Sequence, residues 1–317
     1  MLEEKSKLDL DSLVTVVVPT LNEEEAIARV IQELHSVGLG NVMVVDGYSR
    51  DKTAEIAKKS GAAVVLQQGR GKTGALKTAI DHVATPFMLI IDGDFTYDAS
   101  SISRLVQHMD HYDEVIGARV PTDSKSMSGL HKFGNRLITR LFNMMMNTGL
   151  TDVCSGLYML RTDKMREIDL ATSGFDVEVE IAAQMATSGR ITEVPCNYRP
   201  RVGRQKLSTW KGGFRIVKSI FGLARSYNPG VFYSMLGSLL LIPAGIFLAI
   251  SLLQWLASDV VANSWFFVGL SMLLVSIQSM SVGVVSLIMR RAELRINRRL
   301  NSLGAKQIIE RQNRISE

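Results

Sequence analysis

Acidic residues are missing from one long stretch of this chain, and charge of either sign is missing from two others. Arg199 to Arg225 holds eight basic residues and no Asp or Glu. Val231–Leu256 and Trp265–Met289, 26 and 25 residues long, contain no Asp, Glu, Lys or Arg. Runs of that length argue against a buried helical pair in a soluble protein, because at about 1.5 Å rise per residue each can cross a hydrocarbon core of roughly 30 Å. Cysteine is scarce as well. Cys154 and Cys196 are the only two and form no Cys-x-x-Cys pair, which argues against a disulfide framework and for reduced thiols in a cytoplasmic compartment. Met1 to Asp11 lacks an apolar stretch, so no signal peptide is expected there, only a flexible tail over residues 1–12.

The eight residues between the two apolar runs carry one charge, Asp259, and the runs are expected to form a helical hairpin. Lys211, Arg215, Lys218 and Arg225 precede it, and Arg290, Arg291, Arg295, Arg298 and Arg299 follow it. Positive residues remain on the cytoplasmic side, which predicts a two-helix membrane protein with both termini and the large front domain in the cytoplasm. The net charge of +5 conceals an asymmetry, since the basic flanks leave residues 1–198 with about −7. A nucleic-acid binder more often spreads its basic surface over the folded domain, so no nucleic-acid partner is expected. Trp210, Phe214, Val217 and Phe221 form one stripe beside the basic residues, as in a helix resting in the membrane interface.

The front of the chain alternates strands and helices. Val14–Val18 reads as a buried strand ended by Pro19, followed by a helix capped by Asn22 or Thr20, with Glu23 to Glu25 in its first turn and Ile27, Val30, Ile31 and Leu34 on its apolar face. Further strands are predicted over Asn41–Val45, Ala62–Leu66, Phe87–Ile91 and Val115–Ala118, with helices over Asp51–Ser60 and up to His82. Such repetition predicts an α/β fold, a mostly parallel sheet with helices on both faces and a ligand site beyond the carboxyl ends of its strands. Thr20, Asp46 and Asp92 fall at those ends.

Asp92-Gly93-Asp94 directly follows an apolar strand. Two carboxylates one residue apart can share a hard divalent cation and leave room for phosphate oxygens, although Asp and Gly also make ordinary turns. Asp98 is expected to cap a helix at Ala99. Gly69-Arg70-Gly71-Lys72-Thr73-Gly74 lacks the spacing of a Walker A loop, which argues against a nucleoside triphosphatase and for a glycine-rich wall. Lys132, Arg136 and Arg140 share one helical face by their spacing. With Arg119 at a strand end, that face is either a seat for a lipid phosphate or a solvated flank.

Pro19-Thr20-Leu21-Asn22-Glu23, Val45-Asp46-Gly47-Tyr48-Ser49-Arg50-Asp51-Lys52-Thr53, Gly69-Arg70-Gly71-Lys72-Thr73-Gly74-Ala75 and Asp92-Gly93-Asp94 occur in this order. Together they resemble glycosyltransferase family 2, with its Rossmann-like glycosyltransferase-A fold. Ser155-Gly156-Leu157, Phe175-Asp176-Val177-Glu178-Val179-Glu180 and Arg201-Val202-Gly203-Arg204-Gln205-Lys206-Leu207 narrow the resemblance to the dolichyl- and polyprenyl-phosphate hexosyltransferases, the group of dolichol-phosphate mannose synthase. Gly47, Gly93 and Phe133-Gly134-Asn135-Arg136 look most like the archaeal members that load a sugar from a UDP-sugar onto dolichyl phosphate for N-glycosylation. The resemblance covers roughly residues 13–210.

It implies that Pro19, Leu21 and Glu23 contact the nucleoside and that Asp46 reads the base or ribose. Asp92, Gly93 and Asp94 would hold the diphosphate through Mg²⁺ or Mn²⁺, and Arg201 and Lys206 would close over the phosphates. Asp92, Asp94, Asp152 and Lys206 form the implied catalytic set, with Asp152 and Glu178 steering sugar hydroxyls. Arg119, Lys132 and Arg136 are the expected acceptor contacts. Gly47, where many members have a second aspartate, and Gln205, where a serine is usual, depart from the family pattern.

The expected layout is a tail over 1–12, a catalytic domain over 13–204, a basic loop and interfacial helix over 205–229, two membrane helices over 230–289 and a basic tail over 290–317. The expected activity is inverting transfer of a hexose or N-acetylhexosamine from UDP-glucose or UDP-N-acetylglucosamine to dolichyl or polyprenyl phosphate. Transfer from GDP-mannose, a protein-directed or polymerising glycosyltransferase, and a non-catalytic nucleotide-sugar sensor are the alternatives. A homo-oligomer is also compatible with the sequence.

Overall fold

A computed structural model describes residues 10–122, 129–170, 177–203, 222, 225, 229–258 and 264–316. The chain divides into two units, Met1–Ser219 and Ile220–Glu317.

The first unit is built on strands β1 (Val14–Thr20), β2 (Val42–Asp46), β3 (Ala63–Leu66), β4 (Phe87–Ile90), β5 (Glu114–Pro121), β6 (Tyr158–Arg161) and β7 (Ile191–Tyr198). They form one sheet in the order β3-β2-β1-β4-β6-β5-β7. All neighbours run parallel except β6, which is antiparallel to both β4 and β5. The helices are α1 (Leu10–Leu13), α2 (Ile27–Ser36), α3 (Thr53–Lys59), α4 (Gly71–His82), α5 (Ile102–Val106), α6 (Gly129–Met146), α7 (Thr162–Glu167) and α8 (Val177–Ser188).

Strand alternation accounts for helices on both faces. Val14, Val16 and Val18 of β1 join Val42, Val44, Leu89 and Val115 in one buried cluster with Ile27, Ile31 and Leu34 of α2 and Leu105 of α5. The intervening Val17, Val45, Met88, Ile90 and Tyr158 are equally buried but lie outside that cluster, and α4 packs against β1 and β2. The four apolar positions expected on α2 are all buried.

Several boundaries differ from the sequence expectation for local reasons. β1 runs through Pro19 to Thr20, because its pairing with β4 ends at Val17 and the missing N–H of Pro19 interrupts no bond on that side. α2 begins at Ile27, so Glu23 to Glu25 precede its first turn. Asn22 does not cap it. Its side chain accepts the Arg50 N–H at 2.7 Å and ties two loops together. β5 extends to Pro121, which places Arg119 inside a strand and not at its end. Residues 10–12 belong to α1, where Asp11 accepts the N–H groups of Gly40 (2.6 Å) and Asn41 (2.9 Å). Asp98 accepts the Ser100 N–H as expected of a cap.

In the second unit, α9 (Pro229–Ser258) and α10 (Ser264–Ser316) pack closely. A Cβ on Gly230 would lie 2.8 Å from the Gly283 carbonyl oxygen, and one on Gly237 2.8 Å from that of Ser276. The Ser276 hydroxyl donates to the Gly237 carbonyl at 2.7 Å, and Phe247 stacks on Trp265 with centroids 5.2 Å apart. Within these helices Pro229–Ala257 and Ser264–Met289 are long and apolar enough to cross a membrane, and Leu239, Ile242, Leu253, Val284 and Ile288 stay exposed on them. Helix α10 continues through most of the stretch expected as a basic tail. Residues 204–221, with Lys206 and most of the expected interfacial helix, lie outside the described residues, as do 1–9.

Candidate active site

The carboxyl ends of β1 and β2 are laced together by their loops. The Gly47 N–H donates to the Thr20 carbonyl (2.8 Å), the Asn22 N–H to the Ser49 hydroxyl (2.8 Å) and the Glu23 N–H to the Thr53 hydroxyl (2.8 Å). Asp46 is buried and serves this lacing. Its carboxylate accepts the Ser49 N–H at 2.9 Å and the Ser49 hydroxyl at 2.6 Å, with the Thr20 hydroxyl at 3.5 Å. Leu21 and Tyr48 are left exposed at this edge, and Asn22 and Tyr48 take left-handed φ values of 53° and 64°. Such strain collects at ligand-binding positions.

At the end of β4 the chain turns through Asp92, Gly93 and Asp94. A Cβ on Gly93 would come 2.8 Å from Thr20 Cγ2, so the turn fits only without a side chain there. Asp94 accepts the Thr96 N–H (3.2 Å) and hydroxyl (2.6 Å) with one oxygen and Arg201 (3.0 Å) with the other. Arg201 also reaches Glu23 at 2.5 Å. Burial and the neighbouring Asp92 charge push the Asp94 carboxyl above its ordinary value, against the Thr96 and Arg201 contacts. Val202 donates its N–H to the Asp94 carbonyl, so the segment after β7 is held on this rim.

Asp92 meets a residue that sequence reading had placed only in a glycine-rich wall. Lys72, in the first turn of α4, donates to Asp92 at 2.5 Å and pairs with Glu178 of α8 at 2.6 Å. The left-handed backbones of Gly69 (φ 86°) and Gly71 (φ 67°) precede it. Burial opposes the lysine charge, yet Asp92 and Glu178 outweigh it and hold Lys72 well above the usual lysine value. Burial likewise raises Glu178, against the pull of Lys72. On the other side of Asp92, a Cβ at Gly156 would fall onto the carboxylate itself. The Gly156 N–H donates to the Tyr97 hydroxyl at 2.6 Å.

A concavity of about 320 Å³ is lined by Arg119, Lys132, Asn135, Arg136, Thr151 and Asp152, among others. The structure therefore brings Arg119, Lys132 and Arg136 together, while Arg140 is exposed and outside the lining. Arg119 grips Asp152 in a bidentate pair (Nε to Oδ2 2.6 Å, Nη2 to Oδ1 2.8 Å), and Asn135 donates to the same carboxylate at 2.9 Å. Burial works against ionised Asp152, but the Arg119 bonds and charge keep its carboxyl below the usual value. Tyr97 lies between the two regions: its hydroxyl accepts the Gly156 N–H beside Asp92, and its ring meets that of Tyr198 (centroids 5.2 Å apart), over which the Arg119 guanidinium lies at 5.5 Å.

Of the residues expected at the site, Asp92, Gly93, Asp94, Glu23, Arg201 and Glu178 converge on one patch. Pro19 sits within β1 and Leu21 just beyond it. Among the described residues no group of three or more His, Cys, Asp or Glu gathers as a self-sufficient metal site.

The family model described as glycosyl transferase family 2 matches residues 15–169. A protein of Haloferax volcanii named glycosyltransferase AglJ is 35% identical over 231 residues, covering 71% of this chain and 76% of that protein. A dolichyl-phosphate hexose transferase of the same organism is 34% identical over 209 residues, 65% of this chain and 91% of the relative. Among solved structures, glucosyl-3-phosphoglycerate synthase of Mycobacterium tuberculosis in complex with Mn²⁺, UDP and phosphoglyceric acid superposes with a TM-score of 0.57 at 21% identity. The match covers 69% of this chain and 80% of that one, and at this identity the likeness is one of fold.

Proposed function

The chain belongs to glycosyltransferase family 2 and is a glycosyltransferase, and on that premise we propose that it moves a hexose or N-acetylhexosamine from a UDP-sugar to dolichyl or polyprenyl phosphate. The observation that carries this reading is the apposition of two oppositely charged regions, the Asp92/Asp94 turn and the Arg119/Lys132/Arg136 concavity. A donor diphosphate bound through a cation suits the first, and an anionic acceptor suits the second. The dolichyl-phosphate relative supports the choice of lipid.

The residues at the turn fit Mg²⁺ or Mn²⁺. Asp92 and Asp94 offer hard oxygen donors one residue apart, burial and the Asp92 charge raise Asp94, and two protein ligands leave coordination positions for phosphate oxygens. Bound there, the ion would neutralise charge building on the departing diphosphate. Asp92 and Asp94 hold that seat, and Gly93 lets the chain approach it closely. Leu21 and the edge of the laced β1–β2 loops face the nucleoside, with Asp46 acting by fixing the loop. Arg201 stands beside Asp94, placed to meet the phosphates, and Lys206 belongs to the same basic segment.

In the reaction an acceptor phosphate oxygen attacks the anomeric carbon while the bond to the UDP oxygen breaks, inverting the centre. The acceptor is already ionised near neutral pH, so a strong base is not required. Holding the reactants in line and stabilising the leaving group supply the acceleration. Lys132 and Arg136 orient the acceptor phosphate, whereas Arg119 and Asp152 stiffen its seat. The apolar helices α9 and α10 anchor the enzyme with the first unit in the cytoplasm, as the basic residues flanking them indicate.

The test incubates the full chain in detergent or nanodiscs with radiolabelled UDP-glucose or UDP-N-acetylglucosamine, polyprenyl phosphate and Mn²⁺. Metal-dependent label in the organic extract is expected. Label confined to the aqueous phase with every nucleotide sugar and polyprenyl phosphate would reject the reading.

A further inference from the structure

The two carboxylates assigned to a divalent cation are each already held by a basic side chain of the chain itself. Lys72 bridges Asp92 and Glu178, and Arg201 bridges Asp94 and Glu23. The pairs differ in depth. The Lys72 and Glu178 side chains are 11% and 7% exposed, whereas Asp92 is 34% exposed and faces the rim. Lys72 therefore approaches Asp92 from the interior, with the open side of the carboxylate left to solvent. Among the described residues one oxygen of Glu178 is buried without a hydrogen-bond partner, so this carboxylate is under-satisfied there and keeps a strong hold on the lysine.

Resting on the donor-site reading above, we propose that Lys72 is a positioning residue: a resident counter-cation that holds Asp92 and Glu178 in place and competes with a divalent cation for Asp92. The physical reason is like-charge repulsion. A divalent ion on Asp92 would stand a few ångströms from the buried Lys72 ammonium, and the two positive charges repel each other. An arriving diphosphate changes the balance, because its negative charge attracts the ion and the ammonium together. The ion and the nucleotide then enter as one unit, and ion binding without nucleotide is weak. Asp92 meanwhile stays oriented between Lys72 and the bare Gly156 backbone. Arg201 on Asp94 repeats the arrangement at the neighbouring carboxylate.

The sign of one measurement separates this role from a merely structural one. Mn²⁺ alone is titrated into the full chain in nanodiscs and the free ion is followed by electron paramagnetic resonance, with and without UDP. Lys72→Met is expected to bind Mn²⁺ without nucleotide at least 10-fold more tightly than the wild type. A lysine that only stabilised the fold would weaken or leave unchanged the affinity on removal. Because Lys72→Met leaves Glu178 buried and unpaired, the double variant Lys72→Met/Glu178→Gln is measured beside it. It keeps the wild-type net charge, frees Asp92, and is expected to show the same tightening. Lys77→Met, on the exposed face of the same helix, is expected to match the wild type. Unchanged or weakened Mn²⁺ affinity in the folded double variant, with Mn²⁺-dependent UDP binding retained, would overturn the counter-cation role alone. Absence of Mn²⁺-dependent UDP binding in the wild type would overturn the donor-site reading and this proposal with it.

Discussion

Two halves of one rim, joined through Tyr97, are organised in opposite ways. In the acidic half four carboxylates, Glu23, Asp92, Asp94 and Glu178, face two cations, Lys72 and Arg201. In the basic half Arg119, Lys132 and Arg136 face one carboxylate, Asp152, among the residues that line the concavity. Each half spends part of its charge internally and leaves an excess of one sign. The internal pairs fix geometry, because a buried charge is tolerated only when partnered, and the excess is what a ligand meets. Opposite excesses on the two surfaces suit the proposed transfer of a sugar from a cation-bound nucleoside diphosphate to a lipid phosphate.

The largest expected effect breaks the internal pair of the basic half. Asp152→Asn leaves Arg119 buried without its carboxylate and should cost about 3–5 kcal/mol of stability, read as a lowered melting temperature of the first unit. A fully stable variant would show that the pair is not structural. Next comes the acidic half, where Asp94→Asn should lower turnover on the order of 100-fold with little change in expression. Unaltered transfer and metal dependence would remove the cation from this half.

Glu114 belongs to neither half and serves as a control. It is fully buried in β5, and burial pushes its carboxyl up to about 8. The unfolded chain ionises this group above about 4.5 while the folded chain keeps it protonated. Native stability is therefore lost as pH rises from about 4.5 to about 8, and levels off beyond. Glu114→Gln should be more stable than the wild type by a margin that widens by about 2 kcal/mol between pH 6 and pH 8, without altering transfer. A margin independent of pH would show that the group is ionised in the fold. The smallest effect is Arg136→Gln, which removes charge meeting only the acceptor. It should raise the lipid-phosphate KM by about 10-fold or less and leave the UDP-sugar KM unchanged. An equal rise in both constants would erase the division between the halves.

Much of the fold was legible because the strands announce themselves. Val14 to Val18 and Phe87 to Ile91 are apolar runs that stop at loop residues, and the sheet places those stops on one rim. The Asp92-Gly93-Asp94 turn was legible for the same reason. The start of α2 was not, because Asn22, a good cap by composition, directs its side chain to Arg50 across the loop. Asp46 shows a similar limit. Its position was correctly placed, but its engagement by Ser49 and Thr20 depends on how two loops meet. The Lys72–Asp92–Glu178 cluster draws on α4, the end of β4 and α8, and no local pattern links three side chains so far apart in sequence. The pattern around Lys72 suggested only a glycine-rich wall, and the left-handed Gly69 and Gly71 and the helix start beside it are visible only in the fold.

Gly156 carries a consequence for genetics. Its missing side chain is the space that the Asp92 carboxylate fills, so Gly156→Ala is expected to inactivate the proposed site by one methyl group while deleting no ionisable residue. Such an allele keeps the formal charge of the protein and every ligand-bearing side chain, yet displaces the aspartate on which the site depends. A survey of natural variants that scores only the loss of polar residues would class it as harmless.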